Sequence, residues 1–64
     1  MKLVSTTDEI YKGYISDECS FSYCGDKAWL YLEHCPVSLK VKQITREGNR
    51  VVITTENNTY ILED

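Results

Sequence analysis

Cys19, Cys24, His34 and Cys35 are the residues whose types suit metal binding or nucleophilic attack. Their spacing is Cys-x4-Cys-x9-His-Cys. Structural zinc sites take their ligands from paired knuckles, and adjacent His34 and Cys35 would point to opposite faces of a strand. The three thiols are therefore expected to be ordinary reduced side chains, with neither a metal nor a disulfide framework. A catalytic dyad fares no better. His34 is the single histidine, so only Cys24–His34 or Cys35–His34 would supply a nucleophile beside a base. A chain this small rarely builds the cleft such a pair needs. Gly13, Gly25 and Gly48 stand alone, so no phosphate-cradling loop exists, and Asp8-Glu9 and Asp17-Glu18 sit in turn-like contexts. The expectation is a protein without catalytic residues or a cofactor.

Charge and aromatic rings say more. The net charge of −3 will not draw the molecule to duplex DNA or to an anionic membrane. The charge is uneven, however. Residues 37–55 hold Lys40, Lys42, Arg46 and Arg50 against Glu47 alone, for +3, while each flank totals −3. That band could serve an anionic ligand, although solvated strand faces also carry such cations. Tyr11, Tyr14, Phe21, Tyr23, Trp29, Tyr31 and Tyr60 are many rings for so small a core. Rings on an outer strand face make a subunit interface or a stacking platform, unless a second layer buries them as core.

The elements that must position these residues are strands, because period-two alternation dominates. Glu9 to Ile15 reads as a strand with Gly13 at a bulge. Cys19 to Tyr23 alternates, with Cys19, Phe21 and Tyr23 on one face, and Cys24-Gly25-Asp26-Lys27 reads as a tight turn. Lys27 to Glu33 follows, with Ala28, Leu30 and Leu32 inward and Trp29 and Tyr31 outward. Pro36 fits a strand entrance. Val37 to Arg46, Arg50 to Glu56 and Thr59 to Glu63 complete a meander through turns at Glu47-Gly48-Asn49 and Asn57-Asn58. In this meander Val37, Leu39, Val41, Val51, Ile53, Tyr60 and Leu62 face the core. A short helical turn near Ser5 to Ile10, capped by Ser5, Thr6 or Thr7, is the one helix signal. The fold class is all-β: one small antiparallel meander forming a curved sheet or an SH3-like barrel, a single domain over residues 1–64.

A 64-residue chain buries about 60 % of its unfolded surface, so its core is thin. Small domains compensate with disulfides, metals or partner subunits. With the first two set aside, and with sheet edges to cover, a homo-oligomer is expected. The opening Met1 to Asp8 lacks the apolar stretch of a signal peptide, which points to the cytoplasm and to reduced thiols.

The segment Gly48-Asn49-Arg50-Val51-Val52-Ile53-Thr54-Thr55-Glu56-Asn57-Asn58-Thr59-Tyr60-Ile61-Leu62 resembles the C-terminal end of very small phage and prophage proteins of Gram-positive bacteria. The shared pattern is a glycine turn, an alternating valine strand, then Thr-x-Asn-[Ser/Asn]-x-Tyr, matched by Thr55, Asn57, Asn58 and Tyr60. The resemblance covers about a quarter of the chain. Some such proteins are sponges that sequester the cyclic nucleotide signals of CBASS or Thoeris anti-phage immunity. It implies a cyclic (di)nucleotide ligand at an oligomer interface. Lys40, Lys42, Arg46 and Arg50 would meet its phosphates, Trp29, Tyr31 and Tyr60 its bases, and Thr55, Asn57 and Asn58 its base edges or ribose. The competing expectation is an adaptor or inhibitor of another protein, working through acidic loops or an open edge strand.

Overall fold

The computed structural model describes residues 1–32 and 35–64. Glu33, the expected end of the third strand, and His34, with the zinc and dyad arrangements that need it, lie outside the described residues. Six strands form one curled antiparallel sheet: β1 (Lys2–Thr6), β2 (Cys19–Cys24), β3 (Lys27–Leu32), β4 (Cys35–Glu47), β5 (Arg50–Thr55) and β6 (Thr59–Glu63). Their order across the sheet is β1-β6-β5-β4-β3-β2. The expected small all-β meander is what the chain forms. Its curl brings the first strand toward the second, where Lys2 bridges Glu18 and the Cys19 amide donates to the Met1 carbonyl at 2.8 Å.

Alternation built most of this. Ala28, Leu30 and Leu32 on β3, Val37 and Leu39 on β4, and Val51 and Ile53 on β5 all point into the curl and are buried. Tyr60 and Leu62 join them from β6. Two tight hairpins have glycine at the first turn position, Gly25 with φ 62° and Gly48 with φ 57°, the left-handed backbone that a II′ turn demands there.

Two β-bulges change the period. On β4 the register shifts between Val41 and Gln43, so Lys42 is the extra residue. Val41 and Ile44, three apart, then both pack against the core. On β1 the shift lies between Leu3 and Ser5, which turns Leu3 and Thr6 inward together. Strand β4 is thus long enough to pair with β3 through Lys40 and with β5 from Val41 onward.

The strand expected over Glu9 to Ile15 is instead a 3₁₀ helix, Glu9–Tyr14. Asp8 caps it, its Oδ1 accepting the Ile10 amide at 3.0 Å. Glu9 and Lys12 pair at 2.9 Å one turn apart. The expected helical turn therefore exists, but it is capped by Asp8, one to three residues after the expected caps Ser5, Thr6 and Thr7. Tyr11 and Tyr14 sit three apart, the repeat of a 3₁₀ turn, and their rings meet at 6.3 Å. A strand would have placed Lys12 on the face of Ile10 and Tyr14, and Ile10 stays 76 % exposed. No helix among the described residues is long and apolar enough to cross a membrane.

Candidate functional site

Four of the residues singled out by sequence meet at one place. A shallow cavity of about 260 Å³ is lined by Ser38, Leu39, Lys40, Thr55, Glu56, Asn57 and Asn58. A neighbouring hollow of about 240 Å³ shares Lys40 and Glu56 with it and adds Val41 and Lys42. The bulge at Lys42 and the turn after β5 shape this region together. Lys40 and Lys42 are exposed, and Glu56 is the one acid among these lining residues, leaving a net single positive charge.

The turn's polar groups are largely spent on holding it. Thr55 Oγ1 accepts from the Asn58 amide at 3.1 Å and lies 3.1 Å from the Asn58 carbonyl, to which it donates. The Thr55 amide donates to that same carbonyl at 2.8 Å. Asn58 Oδ1 accepts from Thr7 Oγ1 at 3.1 Å, and Thr7 Oγ1 accepts the Thr59 amide at 2.9 Å. Thr55 and Asn58 therefore build the rim. Asn57 is exposed and is the member of the trio with its side chain turned to solvent.

Trp29 lies on the outer face directly across from Ser38, with Ser22 on its other side. Lys40 is its diagonal neighbour, about 7–8 Å away along that face. Tyr31, 49 % exposed, stands on the same face between Ser20 and Pro36. Both rings thus face outward, with Trp29 beside the cavity and Tyr31 one row further off.

Arg46, Arg50 and Tyr60 are elsewhere. Arg50 opens β5 while the turn follows its end, five residues or about 17 Å away. Its guanidinium is engaged by Glu63, with Nη2 at 2.6 Å and Nε at 3.2 Å from one carboxylate oxygen. Arg46 pairs in register with Val51 at that far end. The cationic band of the sequence is two separate pairs, because a β-strand spreads six residues over a domain's width. Tyr60 is 2 % exposed and presents no ring face to a ligand. Its hydroxyl donates to Asp8 Oδ2 at 2.7 Å, and burial first, then this carboxylate, push its pKa far above the ordinary 10.0.

Sequence reading missed Ser38, Leu39, Val41 and Glu56 as lining residues. Ser38 was legible, since it shares the outward parity of Lys40. Glu56 was not, because its place depends on how the turn folds.

The cysteines do not converge. Cys24 closes the hairpin and is exposed. Cys19 and Cys35 flank Leu32 from opposite sides in one row, about 9–10 Å apart, beyond disulfide reach. Cys24→Ser and Cys35→Ser are expected to shift unfolding free energy by less than about 0.5 kcal/mol. Cys19→Ser puts a hydroxyl into an 8 % exposed site and is expected to cost about 1–3 kcal/mol in urea titration. Equal effects at all three would contradict this placement.

No family model, no curated protein and no solved structure matches the chain.

Proposed function

We propose that the chain is a non-enzymatic binding protein that sequesters an anionic, ring-bearing ligand of the cyclic (di)nucleotide class in the cytoplasm of a bacterial cell. The observation that carries this reading is the cleft at Lys40. It sets two exposed lysines and Asn57 around a hollow with Trp29 one strand away on the same face. Phosphate oxygens would take Lys40 and Lys42, a base would lie against Trp29, and Asn57 would meet a base edge or ribose hydroxyl. The hollow is too shallow to enclose such a ligand, so a second subunit is required to cover it.

Calorimetric titration with a panel of cyclic mono- and dinucleotides tests the reading. One member is expected to bind, with affinity falling as salt rises. Lys40→Ala is expected to weaken that binding about tenfold, the loss of one charge-assisted contact worth roughly 1.5–3 kcal/mol, discounted for exposure. Arg50→Ala, at the far end of β5, is expected to leave it unchanged. If Arg50→Ala weakens binding and Lys40→Ala does not, the ligand sits elsewhere. If nothing in the panel binds, the nucleotide reading is wrong.

A further inference from the structure

The curl leaves a stretch of the β2 edge open. The contact between the first two strands ends at Cys19, whose amide reaches Met1. Along β2 the main-chain groups alternate in direction, so residue 19 points outward and residues 20, 22 and 24 point toward β3. Phe21 and Tyr23 must then point outward as residue 19 does. Among the described residues, no main-chain hydrogen bond outside the strand ladders reaches Phe21 or Tyr23. Four orphan groups, two amides and two carbonyls, line this edge.

Ordinary defences are missing from it. The strand Cys-Ser-Phe-Ser-Tyr-Cys has no charge and no proline, and its register with β3 is continuous without a bulge. Phe21 and Tyr23 stack on one another at 5.5 Å with their planes 20° apart, yet Tyr23 remains 52 % exposed. An apolar, uncharged edge of this kind is a template for another strand.

We propose that the occupant is a second copy of the same strand, antiparallel about a twofold axis through Ser22. A twofold perpendicular to the sheet keeps each face on its own side, so facing residues must share parity. Centring on Phe21 would demand the outward groups of residue 19, already used by Met1. Centring on Ser22 sets Phe21 of one copy opposite Tyr23 of the other, twice. Each is a hydrogen-bonded pair, so all four orphan groups on each copy are satisfied. The same register joins the two Phe21–Tyr23 stacks into a four-ring cluster on the inner face. No like charges meet within the paired strands, because residues 19–24 carry none.

On the outer face, the row Ser38–Trp29–Ser22 runs on into its mirror in the second copy. The two Trp29 positions lie three strand spacings apart, about 14–15 Å, across a floor of serines. Five residues of edge bury less than the roughly 800 Å² per partner of a standard interface, so association is expected in the micromolar range. The pairing rests on β2 alone and does not need the ligand reading.

Analytical ultracentrifugation without nucleotide should show about twice the 7.4 kDa chain mass at tens of micromolar. Tyr23→Pro removes an amide that makes no bond within the chain, and Tyr23→Lys places a charge opposite Phe21 of the other copy. Both should remain folded by circular dichroism and sediment as monomers. Ser22→Cys in a Cys24→Ser, Cys35→Ser background should cross-link to itself under mild oxidation, since facing non-hydrogen-bonded positions lie within disulfide reach. Ser20→Cys in that background should not, while Ser20→Cys with Cys24 retained should. A monomeric wild type, a dimer that survives both Tyr23 variants, or failure of the Ser22→Cys cross-link overturns the proposal. A dimer that binds no nucleotide leaves it standing and overturns only the ligand reading.

Discussion

Tyr60→Ala is expected to abolish cooperative folding at 25 °C. Truncating a buried aromatic side chain costs about 3–5 kcal/mol. A 64-residue domain commands roughly 3–10 kcal/mol in total, at about 0.05–0.15 kcal/mol per residue. The ring is 2 % exposed and sits opposite Ile53 and Thr6 in register, between two neighbouring strands. Its removal leaves a void at the seam between β1 and the rest of the sheet. Tyr60→Phe isolates the hydroxyl. It keeps the ring but deprives Asp8 Oδ2 of its donor, and Asp8 also caps the 3₁₀ helix. A hydrogen bond to a charged group is worth roughly 1.5–3 kcal/mol, with the lower end expected here because Asp8 is half-exposed. Urea titration should therefore rank the variants wild type, Tyr60→Phe, Tyr60→Ala. Equal midpoints for wild type and Tyr60→Phe would show that the hydroxyl holds nothing.

The second large effect is alkaline unfolding. Burial, helped by Asp8, raises the Tyr60 pKa. Burial also raises that of Tyr11, with Cys35, Asp8 and Tyr14 adding to it. The Cys19 thiol is lifted from 9.0 by burial, against a downward pull from the amino terminus. In each case the folded state holds its proton after the unfolded chain has released its own. Stability is therefore complete below the unfolded values and falls as pH rises through about 9 for the thiol and 10 for the phenols. Tyr60 alone should cost about 1.4 kcal/mol for each pH unit above 10 until its own folded pKa is reached. Urea midpoints measured at pH 8, 10 and 11.5 should drop steeply for the wild type and less steeply for Tyr60→Phe. Parallel curves would mean that Tyr60 ionises normally in the folded protein.

Strands β2, β3, β5 and β6 were legible because strict alternation marks a half-buried strand without help from elsewhere. What escaped the sequence were departures from period two. At Leu3 and Thr6, and again at Val41 and Ile44, a bulge moves the core positions three apart. Nothing local distinguishes that from a polar interruption. The tyrosines at 11 and 14 carried the signal of a 3₁₀ turn, but β-rich aromatic composition outweighed it. At the candidate site, Lys40, Asn57 and Trp29 were legible as outward residues near a turn. The ion pair of Arg50 and the hydrogen bond of Tyr60 were not, although alternation already turned Tyr60 toward the core, because their partners Glu63 and Asp8 lie 13 and 52 positions away. Such partners follow from strand order, which pattern reading leaves open.

The pairing of β1 with β6 bears on how the chain reaches its native state. Every other ladder joins strands that follow one another, whereas Lys2 meets Glu63 across almost the whole chain. Closing a loop of about sixty residues costs roughly 2–3 kcal/mol more than closing a four-residue hairpin. The central hairpins can therefore form first and β1 must dock last. During synthesis β1 leaves the ribosome long before its partner, so Leu3, fully buried in the finished protein, stays wet until β6 emerges. In native-state hydrogen exchange, the amides of β1 are accordingly the ones to open by the smallest excursion, and an amino-terminal tag that slows their docking would act on the last folding step alone.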